Sequence, residues 1–220
     1  MPRLLFEKTG NAVWVSHLDL MRIFQRAFKR AGLPLTHTHG FNPRPSVSIA
    51  LPLSVGVSSV CELLDFELDT ENEISNDEIC NRLNDSLIDG VRILQVYNNG
   101  RKIRDLSLLR CRVEMVYDAG LPSGASSAVE ELFKADQIIV PKKTKSGIQD
   151  QNIASMIRRI SVKQESHNIL TIDALVCCQN PTLNPMQLPL AVEKFLPAFK
   201  PDFSRCHRQE IYDLNENVFR

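Results

Sequence analysis

Long hydrophobic runs are missing from this sequence. Its longest apolar stretches, such as residues 169–178, fall well short of the roughly 18 consecutive residues that a membrane span needs. The first residues, Met1-Pro2-Arg3, lead directly into an alternating apolar segment and show none of the regions of a signal peptide. We therefore expect a cytoplasmic protein that does not act at a membrane.

The sequence also carries no excess of charge. Lysine and arginine together number 26, aspartate and glutamate also number 26, and the formal net charge is +0. No overall field draws such a molecule toward nucleic acid or an anionic membrane. A nucleic-acid site must therefore be a local patch of basic residues.

The motifs of several enzyme classes are absent as well. The six cysteines are scattered, without a C-x-x-C pair or the spacing of a zinc ribbon or an iron–sulfur site. There is no phosphate-binding glycine loop, no G-x-S-x-G elbow and no dinucleotide fingerprint. These absences disfavour a nucleophilic enzyme, and we expect no bound cofactor. Cys61, Cys111 and Cys177 lie in apolar strand-like runs and are predicted to be buried.

What is present is a globular composition with regular patterns. The 220 residues, 43% hydrophobic and 24% charged, suffice for one large domain or two small ones. In the first half, Ser16 is a predicted N-cap whose capping box Asp19 completes, and Gly32 ends the helix that follows. Helices are predicted at 16–31 and 75–87, and extended runs at 3–8, 12–15, 35–38, 47–53, 62–68 and 91–97.

The second half has a similar order of elements. Strands are predicted at 106–117, 138–141, 169–178 and 208–214, helices at 126–134 and 184–195, and a helical turn within 153–160. The predicted fold is α+β, with two tandem ferredoxin-like (β-α-β-β-α-β) units that have antiparallel sheets. The N-terminal unit spans 1–100 and the C-terminal unit 101–220, joined near 98–104. A single domain with one mixed sheet is the alternative.

The first helix has one basic face. Arg22, Arg26, Lys29 and Arg30 recur at helical spacing opposite an apolar stripe that includes Phe24 and Phe28, so the phenylalanines are predicted to be buried and the cations exposed. Such a stripe is commonly a solvated face. No acidic residue follows Asp19 to interrupt it, however, and contact with phosphates is the other interpretation.

The loop after this helix carries an aromatic residue next to basic ones. Pro43 and Pro45 stiffen the segment 40–45, in which Arg44 extends the basic patch. Phe41 is either a base-stacking residue or an anchor buried under the sheet. A second basic cluster in the other half comprises Lys142, Lys143 and Lys145, followed by Arg158 and Arg159, and is either a nucleic-acid contact or only solubilising.

Four residues around the first helix are candidate metal ligands or acid–base groups. His17 with Asp19, and His37 with His39, form an H-x-D and an H-x-H pair, and imidazole with carboxylate suits zinc or iron. The alternative is structural, because Asp19 already has a role in capping and His17 can pack locally.

The motifs at 15–20, 26–32, 40–45 and 50–57, and more weakly at 141–143 and 208–212, resemble a bacterial family of unknown function known as radical-SAM-linked or radical-SAM-associated. The resemblance implies one of two forms, a separate small protein or an extension fused to a radical-SAM enzyme. Members are often encoded near ribosome- and RNA-processing genes. The resemblance implies an accessory role. This chain lacks the C-x-x-x-C-x-x-C cluster of the radical enzyme itself, and the family supplies no assigned catalytic residues.

Three functions follow as expectations. The first is a noncatalytic accessory or RNA-binding module that acts with a radical-SAM enzyme on tRNA or rRNA and has no catalytic activity of its own. The second is a metal-dependent or acid–base RNA-processing enzyme that uses His17, Asp19, His37 and His39. The third is a protein-binding adaptor.

Overall fold

The structure is a computed structural model that describes residues 1–70, 73–144 and 147–220. It divides into two compact units. Unit 1 comprises Met1–Ile103 together with Arg220, and unit 2 comprises Arg104–Phe219. Within the described ranges the fold is mixed α+β, with antiparallel strand pairs and four α-helices, which confirms the predicted α+β class.

The described residues of unit 1 form two α-helices and four strands. Strands β1, β3 and β4 pair in the order β4-β1-β3, β2 pairs with residues 64–66 of β3 on the side opposite β1, and all these pairs are antiparallel. The elements are β1 (Arg3–Lys8), α1 (His17–Arg30), β2 (Val47–Ile49), β3 (Val57–Phe66), α2 (Asn76–Asn84) and β4 (Val91–Tyr97).

The core of unit 1 lies between the sheet and the apolar side of α1. Phe24 packs edge-on against Phe6 of β1 with ring centroids 4.9 Å apart, and Phe28 lies 5.1 Å from Phe66 of β3. All four rings are fully buried, whereas the cations of α1 are exposed. This pattern of burial confirms the helical phase predicted from the sequence. Burial of the apolar stripe also holds the helix to the sheet.

A buried lysine shapes the chain just before α1. The ammonium group of Lys8 donates hydrogen bonds to the carbonyl oxygens of Val13 at 3.2 Å and Val15 at 2.8 Å. Two carbonyls two residues apart can converge on one donor when the chain turns. The segment is accordingly a 3-10 helix over Gly10–Trp14, and the predicted extended run at 12–15 was wrong.

The hairpin region is also more irregular than predicted. The expected strand at 47–53 is reduced to β2, and the expected strand at 35–38 to isolated bridges, Leu35 with Leu68 and His37 with Pro45. Proline offers no N–H group, so Pro45 and Pro52 interrupt the ladder at both sides of β2. The pairing of β2 with β3 is antiparallel, as a hairpin requires.

The described residues of unit 2 form four paired strands, a separate hairpin and two α-helices. The four strands have the order β10-β5-β9-β8 with antiparallel neighbours, and β6 pairs with β7 in the hairpin. The elements are β5 (Leu108–Val116), α3 (Ala125–Leu132), β6 (Ile139–Thr144), β7 (Gly147–Asn152), β8 (Ile157–Gln164), β9 (Ile169–Cys177), α4 (Gln187–Phe195) and β10 (Phe203–Tyr212).

Two strands of unit 2 contradict the prediction. The helical turn expected within 153–160 is limited to a short 3-10 helix at Ala154–Met156, after which β8 pairs with β9. The register shifts between Ile157 and Arg159, so a bulge interrupts the regular pairing of β8 with β9 at this point. Strand β7 was not predicted because most of its residues are polar.

None of the helices in the described ranges combines the length with the hydrophobicity that crossing a membrane would take. Cys61, Cys111 and Cys177 are buried, as predicted from their apolar surroundings.

Candidate nucleic-acid interface

Helix α1 begins at an N-cap, Ser16. The hydroxyl of Ser16 accepts a hydrogen bond from the backbone N–H of Asp19 at 3.2 Å and donates to the Asp19 carboxylate at 2.7 Å. Arg22 donates to the other oxygen of Asp19 at 2.9 Å. These bonds from Ser16 and then Arg22 lower the pKa of Asp19, so the carboxylate is held in the charged form. The predicted N-cap at Ser16 is confirmed, whereas the Asp19 carboxylate contacts the Ser16 hydroxyl and not the backbone N–H that the predicted capping box would use.

The four cations of α1 differ in what they contact. Arg22 is paired with Asp19, and Arg30 donates a hydrogen bond to the carbonyl oxygen of Ser86, next to the end of α2. The side chains of Arg26 and Lys29 make no ion pair or hydrogen bond with any residue that the structure describes, and both are exposed. The basic face therefore offers two cations that are available without breaking another contact.

The loop that carries Phe41 is closed at its base by hydrogen bonds. The backbone N–H of Thr38 donates to the carbonyl of Arg44 at 2.8 Å, and the N–H of Arg44 donates to the Thr38 hydroxyl at 3.0 Å. One step further out, the N–H of Ser46 donates to the carbonyl of Thr36 at 2.8 Å. The side chain of Phe41 is 100% exposed, so the alternative in which it anchors the loop under the sheet was wrong.

A pocket joins the base of this loop to the second half of α1. Its volume is about 440 Å³. Leu33, Leu35 and Phe28 contribute apolar walls, while Lys29 and His37 stand among its polar lining. Lys29 thus belongs both to the basic face of α1 and to the pocket beside the loop. We call Arg22, Arg26, Lys29 and Arg30 with Phe41 and Arg44 the basic surface of unit 1.

The four candidate metal ligands are not gathered into a site. In the part of the chain that the structure describes, no group of three or more histidine, cysteine, aspartate or glutamate residues could hold a metal ion. His37 and His39 are exposed, Asp19 is engaged in the cap, and the buried Nδ1 atom of His17 has no hydrogen-bond partner among the described residues. The metal-dependent enzyme stays a prediction, which elemental analysis of chelator-free protein would test.

The second basic cluster lies in unit 2 and is partly engaged. Lys142 donates to the carbonyl of Thr182 at 3.1 Å, and Arg159 pairs with Glu216 at 2.6 Å. Lys143 is exposed and its side chain contacts no described residue through a hydrogen bond or ion pair. Lys145 lies outside the described residues.

Residues 2–185 match the family described as "Uncharacterized protein conserved in bacteria (DUF2344)". The chain belongs to this family. The part that matches the DUF2344 family includes the whole basic surface of unit 1 as well as Lys142 and Lys143. The family description names no partner enzyme, so the association with radical-SAM enzymes stays a prediction.

In fold, this DUF2344 chain is similar to a chain in the crystal structure of a Cbf5-Nop10-Gar1 complex, with a TM-score of 0.51 and 9% identity. The match covers 96% of this chain and 48% of the other, so this chain spans about half the length of that one. At this identity the likeness concerns the fold alone. An unknown protein from Galdieria sulphuraria matches at 11% identity over 94% of this chain and 96% of its own, but its TM-score is only 0.26. A comparison with curated proteins finds no match.

Sequence reasoning identified the members of the basic surface but not their different states. Arg30 is engaged by the carbonyl of Ser86, which lies 56 residues further along the chain, and no local pattern predicts such a contact. It also missed the pocket beside the loop, because residues of α1 and of the segment at 32–45 form it together.

Proposed function

We propose that this protein is a noncatalytic RNA-binding module that acts with a radical-SAM enzyme, and that its nucleic acid is a tRNA or rRNA. The motifs at 15–20, 40–45 and 50–57 support the radical-SAM partner through their family resemblance. The observation that carries the RNA contact is the fully exposed ring of Phe41, on a loop whose base shares a pocket with Lys29.

An exposed phenylalanine on a closed loop suits a stacking role. Burying such a side chain stabilises a protein by about 1.5–3 kcal/mol, and the fold of unit 1 forgoes this contribution at Phe41. Stacking an unpaired base on the ring would supply about 1–3 kcal/mol to binding. Because the loop is closed by Thr38 and Arg44, little ordering is needed when a base arrives.

The cations provide the second part of the interface. The net charge of the chain is +0, so attraction to phosphate must be local. Arg26, Lys29 and Arg44 are exposed and have side chains without partners in the described ranges, so they can meet phosphates directly. A surface with both a stacking residue and phosphate contacts is typical of single-stranded or loop RNA recognition.

The test is the binding of a labelled single-stranded RNA, measured by fluorescence anisotropy across a salt series. We expect Phe41→Ala to weaken binding by about 1–3 kcal/mol with little change in the salt slope, because stacking releases no counterions. Trp14→Ala is the matched control, since Trp14 is an exposed aromatic residue of unit 1 outside the basic surface, and it should leave RNA affinity unchanged. Equal losses in the two variants, both shown to be folded by their thermal midpoints, would contradict the proposal.

A protein-binding adaptor is the second candidate, and the exposure of Trp14 favours it. Trp14 is 63% exposed and Leu18 is 68% exposed, and aromatic side chains of this kind dominate many protein interfaces. The flanking carbonyls of Val13 and Val15 are held by buried Lys8, so the backbone that presents Trp14 is constrained. The discriminating experiment is an anaerobic pull-down that identifies both protein and nucleic acid. If the adaptor is correct, Trp14→Ala loses the protein partner and Phe41→Ala loses nothing.

We also infer that the two units are both ferredoxin-like. Unit 1 has the strand order β4-β1-β3, with β2 on the side of β3 opposite β1. The order β10-β5-β9-β8 is equivalent once the β6–β7 hairpin is treated as an insertion between α3 and β8. An experimental structure with a different strand order in either unit would contradict the tandem arrangement.

A further inference from the structure

We infer that unit 2 has a binding pocket for a nucleoside phosphate, meaning a flat heteroaromatic group that carries a phosphate. The pocket lies between the β6–β7 hairpin and the start of α4 and has a volume of about 470 Å³. This volume is within the range of about 300–1,000 Å³ found for small-molecule sites. The inference does not depend on the RNA contact proposed for unit 1, because every lining residue belongs to unit 2.

Side-chain hydrogen bonds hold the pocket open. The carbonyl of Thr182 accepts from Lys142 and from Gln151, each at 3.1 Å. Gln187 donates to the Gln151 side chain at 3.3 Å, and its own oxygen accepts from the backbone N–H of Asn184 at 3.1 Å. This chain of bonds ties the hairpin to the first turn of α4. The pocket is therefore formed before a ligand arrives, which reduces the entropic cost of binding.

The walls suit the flat face and one polar edge of a base. Pro141, Ile148, Met186 and Leu190 supply apolar surface, and Ile148 is 70% exposed on the hairpin. Asn184 lines the same pocket. Its side-chain oxygen accepts from the N–H of Met186 at 3.1 Å, which leaves its NH₂ group to donate to a ligand. Carboxamides pair with the polar edges of bases, and methionine packs well on aromatic faces.

The start of α4 does not itself bind an anion. The N–H groups of Met186, Gln187 and Leu188 are already taken by oxygens of the preceding turn, at 3.1, 2.8 and 3.0 Å. The next residue, Pro189, has no N–H group. A phosphate in this pocket must therefore be met by side chains.

Among the described residues, two lysines and no acidic residue line the pocket. Lys142 is committed to the Thr182 carbonyl, where it supports the wall. Lys143 is exposed and its ammonium group has no partner among the described residues, so it is the group that meets the phosphate. An apolar slot with a carboxamide and one available cation matches a nucleoside phosphate better than a purely apolar ligand or a bare anion.

The test uses adenosine monophosphate as the probe, adenosine as its uncharged analogue, and amide chemical shifts of the full chain as the readout. We expect adenosine monophosphate to perturb 140–143 and 184–190 in a saturable way, and adenosine to bind more weakly. Lys143→Gln should weaken the binding of adenosine monophosphate by about fivefold, as expected for an exposed ion pair, and leave the binding of adenosine unchanged. Lys163→Gln, which removes an exposed lysine of β8 outside the pocket, is the matched control and should change neither.

Ile148→Ser supplies a second variant, because Ile148 is mostly exposed and its replacement should not disturb folding. This variant should weaken the binding of both adenosine monophosphate and adenosine. Absence of saturable binding, equal affinities for the two ligands, or equal effects of Lys143→Gln and Lys163→Gln would each overturn the inference.

A final arm separates the two sources of such a ligand. If adenosine monophosphate displaces labelled RNA, the pocket takes a nucleotide of the RNA chain; if both bind together, it takes a free nucleotide. Replacing Arg26 and Lys29 by Gln should leave the binding of free adenosine monophosphate unchanged, because both residues belong to unit 1. A failure of the RNA contact in unit 1 is therefore distinguishable from a failure of this pocket.

Discussion

Paired removal of cations from α1 is the sharpest test of the basic surface. Arg26 and Lys29 have no partners among the described residues, whereas Arg22 is paired with Asp19 and Arg30 donates to the carbonyl of Ser86, so these two side chains are less available to a phosphate. The variant Arg26→Gln with Lys29→Gln and the variant Arg22→Gln with Arg30→Gln each remove two positive charges from the same helix. Their net charges are identical, so only the geometry distinguishes them.

The expected magnitude follows from counterion release. Each phosphate contact with single-stranded RNA contributes about 0.7 to the slope of log K against log salt. Losing the contacts of Arg26 and Lys29 should flatten the slope by about 1.4 and lower affinity by about 25-fold at about 0.1 M salt. The Arg22 and Arg30 variant should flatten it by less than about 0.7, because its cations are largely committed within the protein.

Fluorescence anisotropy of a labelled RNA across a salt series measures both quantities. Thermal midpoints of both variants must stay close to that of the wild type, since Arg30 links α1 to the end of α2. The reasoning is refuted if the Arg22 and Arg30 variant loses as much slope as the Arg26 and Lys29 variant. It is also refuted if neither variant changes the slope, and the adaptor then becomes the better proposal.

Three further predictions concern stability. Phe24→Ala should cost about 3–5 kcal/mol in urea unfolding because the ring is fully buried, whereas Leu18→Ala, 68% exposed on the same helix, should stay within about 0.5 kcal/mol; similar losses would contradict the described core. Ser16→Ala should cost about 1 kcal/mol through the lost N-cap, and an unchanged thermal midpoint would count against that capping bond. Burial raises the pKa of Tyr117 to about 12, above its ordinary value of 10.0. The unfolded chain therefore loses the proton first, so stability should fall as pH rises from about 10 to about 12, and Tyr117→Phe should fall less over that window; parallel losses would rule out this residue as the cause.

Several features of unit 1 could be predicted because their causes are local. The first helix follows from a cap, Ser16 with Asp19, and from apolar residues at helical spacing that include Phe24 and Phe28. Strand β4 was predicted with the bounds it has, since its alternating residues lie between clear turn signals. Exposure of the cations on α1 follows from the same helical period.

Other features depended on residues far apart in the chain. The sequence predicted a helical turn within 153–160, but the helical part is limited to Ala154–Met156, and pairing with β9 made 157–160 part of a bulged strand. Likewise, the two histidine pairs suggested a metal site, yet Asp19 is held in the helix cap and no metal-binding group forms in the described ranges. For the strand, a long-range pairing selected one of two structures that the local pattern allowed, whereas for Asp19 the local contacts with Ser16 and Arg22 did so.

The sequence by itself therefore determined the class of fold, the amphipathic phase of α1 and the presence of a basic face with an aromatic loop beside it. These depend on backbone propensity, on caps and on periodicity, which act over a few residues. Only the tertiary structure decided that Phe41 is exposed, that Arg30 is engaged while Arg26 and Lys29 have no partner among the described residues, and that a pocket lies between the β6–β7 hairpin and α4. The physical reason is that burial, the choice of hydrogen-bond partner and the walls of a cavity are set by side chains that meet from distant parts of the chain.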